Sequence, residues 1–219
     1  VEEAGPSARD RLRRGDRVVL HYNITCGDCW FCSTGNEQFC PTGLMLGHFT
    51  DGGFAEYAVN HVNTLAHVPD EMSDEEATLI VTAGTAMYGL DVLGGLIAGE
   101  SLAVTGPGPI GLMSVAAGKA LGAQPVILTG TRDSRLKMGM KLGADHVINV
   151  QKESPVEAVK RITGGKGVHY VMECSGAPNA LNEAMDMVNR GGRICLAAFP
   201  GEPVPVDLAK LVRNNIYVY

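Results

Sequence analysis

The chain is 219 residues long, and no apolar run in it approaches the roughly 20 residues that cross a bilayer, which argues against a helical span. It has no basic excess. Eighteen Lys and Arg face twenty-four Asp and Glu, a formal charge of -6, so electrostatics supplies no reason to expect a nucleic acid or an anionic membrane as partner. The opening Val1-Glu-Glu-Ala-Gly-Pro6 has neither the basic start nor the apolar core of a secretory signal, and a cytoplasmic location is expected. There is no His-Glu-x-x-His pair: His21, His48, His61, His67, His146 and His169 are scattered and suggest no zinc-hydrolase site. His48 reads as a solvated loop residue in preference to one lining a cleft. Internal repeats and low-complexity tracts are also missing.

What is present is an ordinary globular composition, 45% hydrophobic, that changes character near residue 65. Before that point Arg17-Val-Val-Leu-His-Tyr22 is a strand signal, followed by a loop rich in glycine and cysteine. Gly53-Phe-Ala-Glu-Tyr-Ala-Val59 then alternates as a second strand should. Ser73 with Glu76 forms a capping-box pattern that predicts a helix running through 77–79, and a further apolar helix is expected over about 85–93. Beyond residue 100, strand and helix alternate. Strands are predicted at 102–105, 126–129, 146–150, 169–174, 193–198 and 216–219, and helices at 109–121, 133–142, 155–163, 178–189 and 207–213. Repeated βα units with apolar strands predict a doubly wound parallel sheet. Two domains are expected, 1–65 and 66–219.

The first of those βα turns reads Gly106-Pro107-Gly108-Pro109-Ile110-Gly111, between an apolar strand and a helical pattern. A glycine triplet in that context is a dinucleotide-binding fingerprint. Its first glycine makes the turn, the second admits the pyrophosphate, and the third lets helix and strand pack closely. The helix N-terminus presents free N–H groups to the phosphates. At the end of the next strand, where an NAD site carries an acidic residue for the ribose, this chain has Gly130-Thr131-Arg132. Losing the carboxylate removes a repulsion, and Arg132 suits a two-point contact to phosphate. The expectation is therefore NADP over NAD, with Arg135 one helical turn further on as a possible aid.

Four of six cysteines, Cys26, Cys29, Cys32 and Cys40, fall within fifteen residues with spacing Cys-x2-Cys-x2-Cys-x7-Cys. Four thiolates can close a tetrahedral shell around zinc and leave no open position, which is structural chemistry. An iron–sulfur cluster is the competing reading of this spacing. Cys174 and Cys195 stand alone in strand-like runs and read as small buried hydrophobes.

Taken in order, Gly15-Asp-Arg-Val18, the four cysteines, Asp51-Gly-Gly-Phe-Ala-Glu-Tyr57, the 106–111 fingerprint, Leu142-Gly-Ala-Asp145 and Gly191-Gly-Arg193 resemble zinc-containing medium-chain alcohol dehydrogenases and reductases. The resemblance implies a partial GroES-like substrate domain with a structural zinc on the four cysteines. It also implies a Rossmann domain, and hydride transfer between NADP(H) and an alcohol or carbonyl substrate. It places Thr85, Cys174, Ser175, Ala177, Ala198 and Phe199 near the nicotinamide, with Tyr88 more suited to packing, and it implies a homodimer or homotetramer.

The chain departs from that family pattern at Thr82, which stands where a catalytic-zinc ligand is usual although its hydroxyl is a poor ligand. The earlier ligands would precede Val1, and the substrate domain would resume after Tyr219. The expectation is an internal portion of a longer enzyme, with doubtful turnover on its own, no catalytic residue assigned, and a catalytic zinc left open. A zinc-free quinone or enoyl-type reductase, or a non-catalytic dinucleotide-binding protein, are the alternatives.

Overall fold

The computed structural model describes residues 1–96 and 98–219, and the chain divides into two compact units, Val1–Val81 and Thr82–Tyr219. In the first unit β1 (Val18–Leu20) and β2 (Asn23–Ile24) precede a loop that holds the short helix α1 (Trp30–Ser33), and β3 (Leu44–Met45) and β4 (Leu65–His67) follow. β1 pairs antiparallel with β4, and β2 with β3, which ties together the two ends of the cysteine loop. Helix α2 (Asp74–Ala77) starts with the expected capping box: Ser73 N–H donates to Glu76 Oε2 at 2.8 Å, and Glu76 N–H donates to Ser73 Oγ at 3.2 Å.

Three expectations for this part of the chain are corrected. Residues 53–59 form no strand. Their alternation is that of a sheet face, but a strand exists only where its backbone groups find a partner. None of the described strands pairs with this segment, and Phe54, Tyr57 and Val59 are exposed. Helix α2 ends at Ala77, because the Thr78 hydroxyl turns back to the Glu75 carbonyl at 2.7 Å and the chain makes a turn over 78–79. The next helix, α3 (Ile80–Val92), starts five residues before the expected position. Gly84 and Gly89 both lie inside it at about 1 kcal/mol each, and burial of Ala86, Gly89 and Leu90 on one face offsets that cost.

The second unit alternates β5 (Leu102–Thr105), α4 (Pro109–Ala120), β6 (Val126–Gly130), α5 (Asp133–Lys141), β7 (His146–Asn149), α6 (Pro155–Ile162), β8 (Val168–Glu173), α7 (Ala180–Met187), β9 (Val188–Leu196), α8 (Leu208–Arg213) and β10 (Tyr217–Val218). The six strands form one parallel sheet in the order β10-β9-β8-β5-β6-β7. Helices on both faces are the only economical cover for such a sheet, so successive strand residues enter different cores. Leu102, Val104, Val126, Leu128, Tyr170 and Met172 pack on one side with Leu90, Val115 and Leu136. Ala103, Ile127, Val171 and Ile194 pack on the other with Val159, Ala184 and Met185.

The strand and helix expectations beyond residue 100 hold to within a few residues, except at β9. That strand begins at Val188, not 193, because Val188 pairs with Val168 ahead of an irregularity in register, while the pairing of Tyr170 with Arg193 resumes after it.

Candidate dinucleotide site and four-cysteine cluster

Strand order reverses between β5 and β8, where the chain proceeds outward first through β6 and β7 and then through β8, β9 and β10. In open α/β sheets ligands bind at the carboxyl ends of the strands beside such a switch point. The glycine-rich turn lies there. Gly106 has φ +87°, and a Cβ on it would stand 2.8 Å from Ser175 Cα. The turn after β5 is thereby wedged against the turn after β8, with Gly106 beside Cys174 and Ser175. A Cβ on Gly111 would lie 2.0 Å from the Gly106 carbonyl oxygen, so α4 can approach the turn only as glycine. Gly108 differs: a Cβ there would meet nothing within 4 Å, and its φ of -80° is open to any residue. Open space over that glycine, at the N-terminus of a 12-residue helix starting with Pro109 and Ile110, is a cradle that fits a pyrophosphate.

Behind the turn lies a residue whose role sequence reasoning missed. Glu173 ends β8 and is 2% exposed. Its Oε1 accepts hydrogen bonds from Thr105 Oγ1 at 3.0 Å, Ser175 N–H at 2.7 Å, Gly176 N–H at 3.2 Å and the Ser175 hydroxyl. One carboxylate thus joins β5 to the 174–177 turn at the switch point. The available signal was an acid inside an apolar strand, Val171-Met172-Glu173-Cys174. Burial and the neighbouring Glu173 charge push the Cys174 thiol up to about 12, which makes it inert.

The other expected residues fall around this centre. Gly130 ends β6 beneath the fingerprint, with its hypothetical Cβ 2.3 Å from Pro107 Cδ. Thr131, Arg132 and Arg135 are exposed at the start of α5, and the Arg132 guanidinium makes no hydrogen bond or ion pair to a described residue. Asp133 beside it is engaged, with Oδ1 accepting from Asn149 Nδ2 at 2.6 Å and Oδ2 from Lys152 Nζ at 2.8 Å. Those bonds, with Lys152 first, hold its carboxyl below the usual range. Ala198 and Phe199 follow β9, and a Cβ on Gly176 would touch the Phe199 carbonyl oxygen at 2.8 Å, so the turns after β8 and β9 abut. Thr85 is on the exposed side of α3, and His48 is exposed in its loop.

In the first unit the four expected cysteines converge, with their sulfur atoms all within 4.8 Å of one another. Sγ–Sγ distances are 3.9 Å for Cys26–Cys32, 3.5 Å for Cys29–Cys32 and 3.6 Å for Cys26–Cys40. Tetrahedral zinc with bonds of about 2.3 Å places sulfurs about 3.8 Å apart, close to these three separations, so the donor set fits zinc. Backbone N–H groups of Cys29 and Cys32 point at the sulfurs of Cys26 and Cys29, at 3.4 and 3.5 Å, as second-sphere support for thiolates. Hydrogen bonding from the Cys26 backbone and the Thr42 hydroxyl draws the Cys40 thiol down to about 6, whereas desolvation pushes Cys32 up to about 11.

A doubly wound sheet with a glycine turn at its switch point thus shares one chain with a four-thiol loop able to hold a metal, and the two together define the class of α/β protein. Residues 109–219 match the family described as zinc-binding dehydrogenase, and residues 1–70 match the alcohol dehydrogenase GroES-like domain. The chain belongs to the zinc-binding dehydrogenase family. It is 40% identical over 213 residues to the L-threonine 3-dehydrogenase of Pyrococcus furiosus, covering 97% of this chain and 60% of that protein. The chain thus spans about three-fifths of the length of the curated relatives it matches. Among solved structures it resembles a zinc-binding dehydrogenase of Sinorhizobium meliloti 1021 bound to NADP, with TM-score 0.91, 27% identity, and coverage of 100% and 64% of the two chains. It also resembles an Escherichia coli CFT073 alcohol dehydrogenase complexed with NADH, with TM-score 0.88, 29% identity, and coverage of 100% and 63%.

Proposed function

We propose that the protein is an NADP(H)-preferring, zinc-containing dehydrogenase that moves a hydride between the nicotinamide and a small alcohol or carbonyl substrate. The observation that carries the preference is the end of β6. Gly130 offers no carboxylate there, and the exposed Arg132 guanidinium has no partner among the described residues. Solved relatives of this fold hold NADP in one case and NADH in another, so the choice rests on side chains and not on the sheet.

Gly106, Gly108, Pro109, Ile110 and Gly111 take the pyrophosphate. Gly130, Thr131, Arg132 and Arg135 take the 2′-phosphate end, and Cys174, Ser175, Ala198, Phe199 and Thr85 line the nicotinamide end. Bound zinc on Cys26, Cys29, Cys32 and Cys40 supplies structure, because four thiolates leave no position for substrate. Among the described residues no other group of three or more potential ligands is assembled for a catalytic metal. The functional division is a partial GroES-like lobe over 1–65 and a dinucleotide domain over 66–219, in a homodimer or homotetramer.

Titration of the purified protein with NADPH and NADH tests the reading. Arg132→Ala removes a charged hydrogen-bond donor worth about 1.5–3 kcal/mol, a tenfold to hundredfold loss for NADPH with little change for NADH. Equal losses for both cofactors overturn the assignment of Arg132 to the phosphate.

A further inference from the structure

Gly130 poses a question that its backbone does not answer. Its φ lies outside the left-handed region, and it sits in regular parallel pairing with Asn149, where residues bearing side chains are at ease. Space, not conformation, demands glycine. A Cβ at this position would stand 2.3 Å from Cδ and 2.5 Å from Cγ of Pro107, with Leu136 Cδ2 at 3.5 Å. Contacts that short require something to move, and Pro107 is badly placed to yield. It is buried, its ring is closed onto its own backbone nitrogen, and the preceding Gly106 is itself wedged against Cys174 and Ser175.

We propose that Pro107 and Gly130 form a coupled pair that sets cofactor specificity, with the Pro107 ring occupying the volume through which an acidic ribose anchor at position 130 would have to pass. The inference rests on the NADP(H) reading of the site and adds its steric half. Arg132 attracts a phosphate, and Pro107 denies the site the carboxylate that would favour a free ribose. The nearest alternative acid, Asp133, has both oxygens taken by Asn149 and Lys152. The variable second position of the glycine fingerprint thereby reads out on the following strand, a link invisible to either motif alone.

The pair is tested by a double-mutant cycle on the purified protein, with NAD+ and NADP+ as probes. Gly130→Asp alone is expected to weaken both cofactors at least tenfold, because the turn is displaced. Adding Pro107→Ala, which deletes Cγ and Cδ, is expected to restore NAD+ binding at least tenfold over the single variant, with NADP+ still at least tenfold weaker than in the parent. The proposal fails if Gly130→Asp alone binds NAD+ as well as the double variant does, or if Pro107→Ala recovers nothing.

Thermal melting of Gly130→Ala with and without Pro107→Ala decides the steric coupling independently of the cofactor. Recovery of most of the lost melting temperature supports the pair, and additive losses overturn it. A parent protein that prefers NAD+ would refute the NADP(H) reading, yet that melting cycle would still decide the steric pair. Should Gly130→Asp not fold, a folded Pro107→Ala/Gly130→Asp protein supports the pair, and an unfolded one overturns it.

Discussion

The two units hold their shape by different means. In Thr82–Tyr219 the central strands of a six-stranded sheet are covered on both faces, and residues such as Leu102, Val104, Ile127, Leu128 and Ile194 have no exposed surface. In Val1–Val81 the strands are two or three residues long, the buried hydrophobic side chains are Leu12 and Val68, and Trp30, Phe39, Phe49 and Phe54 are exposed. Burial of an apolar side chain supplies about 1.5–3 kcal/mol, so the sheet unit has an ample source of stability. The cysteine unit has few such side chains, and zinc on its four thiolates would add a further source of stability. The proposed nucleotide site sits on the part held by apolar packing, and the proposed zinc would hold a part with few buried apolar side chains.

Metal removal breaks this comparison most directly. Apparent zinc binding to small thiolate sites is worth about 10–16 kcal/mol near neutral pH, far above what the few hydrogen bonds of the loop can replace. Chelation, or Cys40→Ser, should release the metal and abolish hydrogen-exchange protection of the Cys29, Cys32 and Cys40 amides, which bond within the loop. Amides of β5 and β6 should keep theirs. Equal loss in both units, or none at the cysteines, would show that the metal is not what separates them.

The second prediction places a polar weakness inside the apolar unit. Glu173→Ala leaves the donors of Thr105, Ser175 and Gly176 without their acceptor, at a cost of about 3 kcal/mol or more. Glu173→Gln keeps an acceptor at the Oε1 position and should cost about 1–2 kcal/mol. Denaturant midpoints measure both. Since the carboxylate holds the 174–177 turn against the fingerprint, NADPH affinity should fall in the same order. Unchanged affinity in a destabilised Glu173→Ala protein would limit the residue to a folding role.

Local chemistry was legible in the sequence, and pairing was not. The cysteine spacing and the glycine fingerprint each encode their geometry within a few adjacent residues, and the structure assembles both as expected. Apolar strands such as 102–105 and 126–129 announce themselves because burial on two faces leaves no polar alternation. Residues 53–59 alternate correctly yet form no strand, since a periodic pattern says nothing about whether a partner is present. The early start of β9 depends on register against Val168, the hold of Glu173 on Ser175 and Gly176 depends on how the chain turns after β8, and the Pro107–Gly130 approach joins the turn after β5 to the end of β6. Each is a relation between segments, and no single window of sequence contains it.

The smallest effect concerns a charged tie within the sheet unit. Asp145 accepts from Lys119 Nζ at 2.6 Å and from the Val126 N–H at 2.7 Å, which fastens the start of β7 to α4 and β6. Desolvation pulls its carboxyl upward, but those two hydrogen bonds outweigh it and the group ends below its ordinary value of 3.8. A carboxyl depressed in the folded state stabilises the protein fully above its unfolded value, and that contribution fades as pH falls through the folded one. Asp145→Asn should therefore cost about 1–2 kcal/mol at pH 7, with the gap to the parent closing below about pH 4. Paired urea titrations at pH 7 and pH 3 measure it. A gap that persists undiminished at pH 3 would mean that shape, and not charge, secures this corner, leaving the apolar unit independent of its ion pairs.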